Sequence, residues 1–215
     1  PDYSSAASDV YKRQHKHQYW LFPKIDDWEV FKNLVSTICS LILQAIQGEI
    51  CLLSVDEKTG IQALERQIVT HLGGKRIESE YVRHGTTCLL AALEVGQGKV
   101  VHHLLRDTRK EEDYLELVQG LVSKYPKDKQ LVILADNLNT HMSASLVEWV
   151  ASEIGFEQDL GTKRYKGILK SMKSRKTFLE DPTHRIRFVY TPKHCSWLNP
   201  IETVSYTHLR AHETS

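Results

Sequence analysis

What the sequence lacks narrows the field first. Its four cysteines, Cys39, Cys51, Cys88 and Cys195, make no CxxC pair and no zinc spacing. That argues against a metal ribbon or a disulfide scaffold and for reduced thiols, three of them on core elements. No apolar run approaches membrane-spanning length; Leu41–Ile46 reads as core helix. The N-terminal stretch is polar, without the apolar centre of a signal peptide. These absences predict a cytoplasmic protein with no membrane partner. The chain has no glycine-rich phosphate loop, which weighs against a hydrolase of small phosphate compounds. Nor has it an excess of one charge: at a formal net charge of +1, any surface for nucleic acid must be local. What is present suits a globular protein. The 215 residues, 41% hydrophobic and 26% charged, allow one good-sized domain or two small ones.

The two ends read differently from the middle. One coding string for Asp9–Gln14 (DVYKRQ) has a reverse complement that in one frame encodes Val-Ser-Tyr-Thr-His, the sequence of Val204–His208. Both ends are similar to a translated sequencing-library adapter read in opposite orientations. The expected division is 1–14 and 204–215 as adapter-derived, 15–49 as linker and leading helix, and 50–203 as the main domain with a basic insertion at 156–184.

Along the middle, periodicity alternates. Asp26 and Glu29 stand at capping-box spacing, and Trp28, Phe31, Val35, Ile38 and Ile42 recur at helical intervals up to Gly48. Ile50–Val55 reads as a buried strand that delivers Asp56 at its end, and 57–80 as an irregular excursion. Thr86–Val95 and Lys99–Leu105 form a hairpin about Gly96-Gln97-Gly98. A second capping box, Thr108 and Glu111, opens a helix with Tyr114, Leu115, Val118, Leu121 and Val122 on its apolar face. Gln130–Ala135 is another buried strand, delivering Asp136. Ser143 caps a helix stopped by Gly155, and Ile186–Tyr190 is the last strand before a Pro-punctuated loop that leads to a helix start at Ile201-Glu202. Strands alternating with helices predict an α/β layer fold, without saying which.

Three acids stand out by position. Asp56 and Asp136 each follow a buried strand, where functional residues of α/β sheets collect, and Glu202 opens a helix. A single Asp there is often a turn or cap residue. If the two strands are neighbours, however, the Asp pair lies side by side, and converging carboxylates need a counter-charge. Hard cations with oxygen ligands, Mg²⁺ or Mn²⁺, meet that need. Two such ions roughly 3.5–4 Å apart suit a phosphodiester displacement.

The strings SVDEKTGIQALER around Asp56, EYVRHGT at Glu80–Thr86, ADNLNTH around Asp136 and YTPKHCSWLNPIE ending at Glu202 resemble the DDE transposases of bacterial insertion sequences, in the mariner-related branch. The resemblance covers essentially all of 15–203, and four separated blocks in the family's order are far more specific than one motif. The resemblance implies a ribonuclease H-like mixed sheet flanked by helices. It implies cleavage at transposon ends, leaving a 3′-hydroxyl that then attacks target DNA. It makes Asp56, Asp136 and Glu202 the catalytic metal ligands for two Mg²⁺ (or Mn²⁺) ions, double-stranded DNA the partner, and a homodimer the working form of the full-length protein, nucleoid-associated in a bacterial cytoplasm.

Around these residues stand second-tier candidates. Asn137 and His141 flank Asp136, with His141 either bonding a carboxylate or phosphate or capping the helix start. His194, Ser196, Trp197 and Asn199 shape the loop before Glu202, with Trp197 read as a packing anchor. Glu57 points away from Asp56 on an extended chain and is not expected to be a ligand. Lys58 and Arg83 either touch phosphate or lie on a solvated surface. The insertion departs from the tighter spacing of many relatives, since Asp136 and Glu202 are 66 positions apart. Within 163–187, Lys163, Arg164, Lys166, Lys170, Lys173, Arg175, Lys176, Arg185 and Arg187 face only Glu180 and Asp181. Such a patch neutralises DNA phosphates, and the first seven are the DNA-binding candidates; a solvated loop is the alternative.

A helix-turn-helix region, which the family places ahead of the catalytic domain, is not seen before His15. The helix bearing Glu202 is expected to continue past the native end, so the chain as it stands is expected to transpose weakly or not at all. Competing readings are another ribonuclease H-like nuclease and a catalytically dead DNA-binding fragment.

Overall fold

A computed structural model describes Ile25, residues 27–65, 68–71, 74–77 and 82–203 apart from His194; for 63–77, 83 and 84 it describes the backbone only. The segments read as adapter-derived, 1–14 and 204–215, lie outside the described residues, as do Asp26 and His194.

Helix α1 spans Trp28–Ile46. Its cap is Asp27, whose carboxylate accepts from the N–H groups of Glu29 (2.9 Å) and Val30 (3.1 Å). The expected start was one residue earlier, at Asp26. Ile38, Leu41 and Ala45 bury one stripe of the helix, while Trp28, Val30, Leu43 and Ile46 are exposed. Length and composition would let this helix cross a membrane. Counting only apolar runs missed that, because polar residues, singly and in pairs, interrupt the helix throughout.

Strand β1 runs Cys51–Glu65, well past the expected end at Val55. Residues 57–65 are therefore strand, not irregular excursion. They pair with β4, Val82–Glu94, from Asp56↔Ala91 to Glu65↔Val82, with register shifts after Lys58 and Gln62. Among the described side chains of 58–62, 82, 85 and 86 none is buried, so this stretch carries no apolar alternation. Two short strands, β2 (Ile68–His71) and β3 (Gly74–Ile77), pair with each other between them. The hairpin from β4 to β5, Lys99–Arg106, forms as read. At its turn a Cβ on Gly96 would lie 2.4 Å from the Ala45 carbonyl oxygen, so only glycine lets the turn lie against the end of α1.

Helix α2, Glu111–Val122, is capped from inside. The Asp113 carboxylate accepts from the Lys110 N–H and the Thr108 hydroxyl, both at 2.7 Å; the expected Thr108–Glu111 box does not form. Strand β6, Leu131–Ala135, is wholly buried. Helix α3, Ala144–Ile154, has Ser143 as its cap (3.1 Å to Leu146 N–H) and Gly155 in the left-handed region at its end. The 156–184 stretch is not a plain surface loop. It contains a 3₁₀ turn at Ile168–Lys170 and helix α4, Met172–Leu179, and it buries Leu169, Phe178 and Leu179 in the core. Strand β7 is Ile186–Tyr190.

The five long strands form one sheet in the order β5-β4-β1-β6-β7. β4 is antiparallel to both neighbours, and β1, β6 and β7 run parallel. This is the ribonuclease H-like arrangement. Alternation splits the core by face. Cys51, Leu53 and Val55 face α2, α3 and α4. Leu52, Val132, Leu134 and Val189 face α1 and the turn at Ser196–Leu198.

Candidate active site

The register of β1 and β6 sets up the site. Their parallel partners run from Cys51↔Leu131 to Ser54↔Leu134, a constant offset of 80 that carries Asp56 to Asp136 just beyond the pairing. Both acids continue the even-numbered positions that face α1. Glu202 reaches the same place from the other side of the chain. Together Asp56, Glu57, Lys58, Arg109, Asp136, Leu138 and Glu202 line a cleft of about 270 Å³.

Glu202 is held by a buried polar clamp. The Ser54 hydroxyl donates to Asn199 Oδ1 (2.5 Å) and accepts from the Ile201 N–H (3.0 Å), while Asn199 Nδ2 donates to the Val55 carbonyl (2.9 Å). Ser54 and Asn199 are essentially inaccessible to solvent. The Glu202 N–H closes the first turn onto the Asn199 carbonyl (3.0 Å). The loop is thus stapled to β1 immediately before Asp56. Asn199 was read only as shaping this loop, and Ser54 was not singled out. The signal was there: one hydroxyl within the apolar run ICLLSV must find a partner once buried.

On the opposite face, His141 joins two carboxylates. It sits in a 3₁₀ turn at Asn139–Met142, wholly buried. One ring nitrogen, Nδ1, lies 2.7 Å from Asp136 Oδ1, and the other, Nε2, 2.9 Å from Glu57 Oε1. Of its two expected roles, His141 therefore takes the carboxylate-bonding one; Ser143 does the capping. Its ring stacks on Tyr114 at 4.0 Å, and its carbonyl accepts from the Tyr190 hydroxyl (2.8 Å). Glu57 does turn away from Asp56, as alternation requires, yet it reaches the site through this histidine. No sequence spacing announces a pair 84 residues apart.

The charges follow from that geometry. Burial pushes the Asp56 carboxyl up to about 7, the Glu57 backbone N–H opposing it and the charges of Glu202, Glu57 and Asp136 adding to it. Burial would raise Asp136 too, but the His141 hydrogen bond and charge, the Leu138 N–H and Arg109 bring it below the usual carboxylate value. Burial opposes the His141 imidazolium, but its two carboxylate partners outweigh it, and the pKa rises to about 9. Among the described residues, no three acidic, histidine or cysteine side chains converge on one point as an ion's ligands would.

The remaining candidates divide. Asn137 Nδ2 donates to the Thr191 carbonyl, and its Oδ1 accepts from Lys176 Nζ (3.0 Å). Lys176 also lies over the Tyr190 ring (5.1 Å) and near Glu180 (3.7 Å). Arg175 donates to the carbonyls of Met142 (2.7 Å) and Leu169 (3.0 Å), which ties α4 to the turn bearing His141. These two cations are built into the fold rather than presented to solvent. Lys163, Arg164, Lys166, Lys170 and Lys173 are exposed, Lys166 paired with Asp159 at 3.2 Å. Trp197 is 65% exposed, so the expected packing anchor is instead a surface ring. Arg109, on the cleft rim, was missed because a lone arginine before a helix carries no pattern.

Residues 52–211 match the family of DDE superfamily endonucleases. The chain belongs to that family. Solved structures similar to this DDE endonuclease include a Mos1 mariner paired-end complex with Mn, at 15% identity and a TM-score of 0.45 over 97% of this chain and 56% of that one. Another is the Mos1 strand transfer complex, at 15% identity and a TM-score of 0.38 over 68% and 47%. A third is a Mos1 paired-end complex with Mg, at 14% and 0.37 over 94% and 63%. The chain therefore spans about half the length of these solved relatives. No curated protein matches it.

Proposed function

We propose that this chain carries the catalytic domain (50–203) of a transposase of bacterial insertion sequences, cutting DNA at transposon ends and joining the new 3′-hydroxyl to target DNA. The observation that carries the reading is the parallel pairing of β1 and β6, which brings Asp56 beside Asp136 in a cleft that Glu202 completes.

The donor set suits a hard divalent cation. It is all oxygen, and Asp56 is pushed up to about 7 by burial and by neighbouring carboxylates, as expected where a positive charge is missing. Asp56, Asp136 and Glu202 are the residues that would hold Mg²⁺ or Mn²⁺, two ions in all; the Mos1 complexes above were solved with Mn and with Mg. When bound, such ions polarise the scissile phosphate and lower the pKa of an attacking water or hydroxyl. The protein's own part is positioning. The Ser54–Asn199 clamp fixes Glu202, and the His141–Glu57 pair fixes Asp136 and keeps it ionised. Arg109 and Lys58, on the cleft wall, offset phosphate charge. Double-stranded DNA is the partner, and a homodimer of the longer protein, in the cytoplasm, is the working form. We read 1–14 and 204–215 as adapter-derived. Native codons at both ends of the source locus, in keeping with a family match that runs to 211, would overturn that.

The test is nicking of supercoiled DNA. Cleavage that requires Mg²⁺ or Mn²⁺ and falls at least about 100-fold in Asp56→Ala, Asp136→Ala and Glu202→Ala supports the reading. Metal-dependent cleavage that survives all three substitutions refutes it. Joining of a pre-cut end to target DNA separates a transposase from a simple ribonuclease H-like nuclease.

A further inference from the structure

The insertion presents one element that the cleft does not explain: a tight hairpin with a basic and aromatic tip. The Thr162 N–H donates to the Lys166 carbonyl (3.0 Å), and the N–H groups of Tyr165 (3.0 Å) and Lys166 (3.2 Å) donate back to the Thr162 carbonyl. At its base, the Leu169 N–H donates to the Leu160 carbonyl (3.0 Å). Gly161 and Gly167 bring the two arms closer than any side chain allows. A Cβ on Gly161 would lie 2.1 Å from the Lys166 carbonyl oxygen, and one on Gly167 2.6 Å from that of Leu160. Both glycines have positive φ (85° and 72°). Leu160 and Ile168 pack on the core and Leu169 is buried, so the stem is anchored. Asp159 accepts from the Gly161 N–H (2.9 Å) and from Lys166 Nζ (3.2 Å), taking up the stem lysine's charge.

The tip is what remains: Lys163, Arg164 and Tyr165. Arg164 adopts φ 72°, the left-handed position that turns usually give to glycine. Tyr165 is 79% exposed, more than any other large apolar side chain among the described residues. A ring held clear of the surface buries area only against a partner. Two flanking cations with no acid at the tip select an anionic partner with flat faces. The charge of Lys163 acts on Glu111, the first residue of α2.

Building on the reading of the cleft as a DNA-cutting site, we propose that this hairpin is a preformed strand probe: Tyr165 stacks on an unpaired base of the bound DNA while Lys163 and Arg164 hold the adjoining phosphates. An unpaired base is the fitting target because the faces of paired bases are hidden in the stack, whereas single strands offer them to aromatic rings.

The experiment measures binding of the 215-residue chain to a blunt duplex and to the same duplex with a single-stranded overhang carrying 2-aminopurine. Wild type binds the overhang substrate more tightly and changes its fluorescence. Tyr165→Ala loses the fluorescence change and about tenfold of the overhang affinity, with blunt-duplex affinity within about twofold. Lys163→Ala with Arg164→Ala lowers the log–log salt slope by roughly 1.4–1.8. Equal loss on both substrates, or none, overturns the proposal while leaving the cleft reading intact. A change in sedimentation with unchanged DNA binding overturns it in favour of a protein contact at the tip. Failure of wild type to bind either substrate overturns both readings.

Discussion

Asn199→Ala tests how Glu202 is held. The substitution deletes the hydrogen bonds to the Ser54 hydroxyl (2.5 Å) and the Val55 carbonyl (2.9 Å), both in an interior that water does not reach. Losing two bonds and taking these partners from the buried Ser54 hydroxyl and Val55 carbonyl costs about 2–4 kcal/mol. For a domain of this size that is a fall in Tm of roughly 5–15 °C. The functional loss is separate. Of the hydrogen bonds from Asn199–Ile201 to β1 among the described residues, the Ile201 N–H to Ser54 bond (3.0 Å) then remains, and a displacement of Glu202 by ~1 Å costs about 100-fold in rate. Nicking with Mn²⁺, measured well below the variant's Tm, reads that loss without the unfolding. A variant that melts within 1 °C of wild type, or nicks within twofold of it at low temperature, would refute the clamp.

Other expectations concern charge. Asp56 is raised from 3.8 to about 7, so below about 7 a bound proton competes with a cation. Mn²⁺ affinity should rise about tenfold per pH unit up to about 7 and level off above it, and titrations at four pH values check this. His141 is raised from 6.5 to about 9. Its contribution to stability is therefore whole below about 6.5 and lost as pH rises through about 9. Melting of metal-free wild type should show that decline, His141→Asn should lack it, and equal slopes in the two would contradict the buried carboxylate–imidazole–carboxylate chain. Arg175→Ala removes two carbonyl contacts and should cost about 1–3 kcal/mol of stability with little effect on the salt dependence of DNA binding. Lys170→Ala with Lys173→Ala, both exposed, should do the reverse and lower the log–log salt slope by about 1.8.

Much of the fold was legible because burial leaves a pattern. The apolar runs ending at Asp56 and Asp136 became β1 and β6, and the offset between them follows from parallel pairing alone. The outer half of β1 was not legible, since its described side chains, 58–62, are not buried and write no alternation. The insertion hid its helix for a related reason. α4 buries only Phe178 and Leu179, too few to raise a periodic signal above its basic residues. In the candidate site, the acids could be picked out because each follows a strand or opens a helix. Their supports could not. Glu57, Tyr114 and Ser54 meet His141 and Asn199 across 84, 27 and 145 positions, and such contacts belong to the tertiary structure alone. Arg175 and Lys176 show the converse: charge composition marks them for DNA, and it does not show that the fold also uses them to hold two of its own carbonyls and the Glu180 carboxylate.

The most direct test of the central claim is calorimetric titration of Mn²⁺ into the chain, beside Asp56→Ala with Asp136→Ala. Saturable binding in wild type that the double variant lacks, with circular dichroism showing both folded, is the expected result. Equal binding by two folded proteins, or none by a folded wild type, would contradict the assignment of this cleft as a metal-dependent DNA-cutting centre.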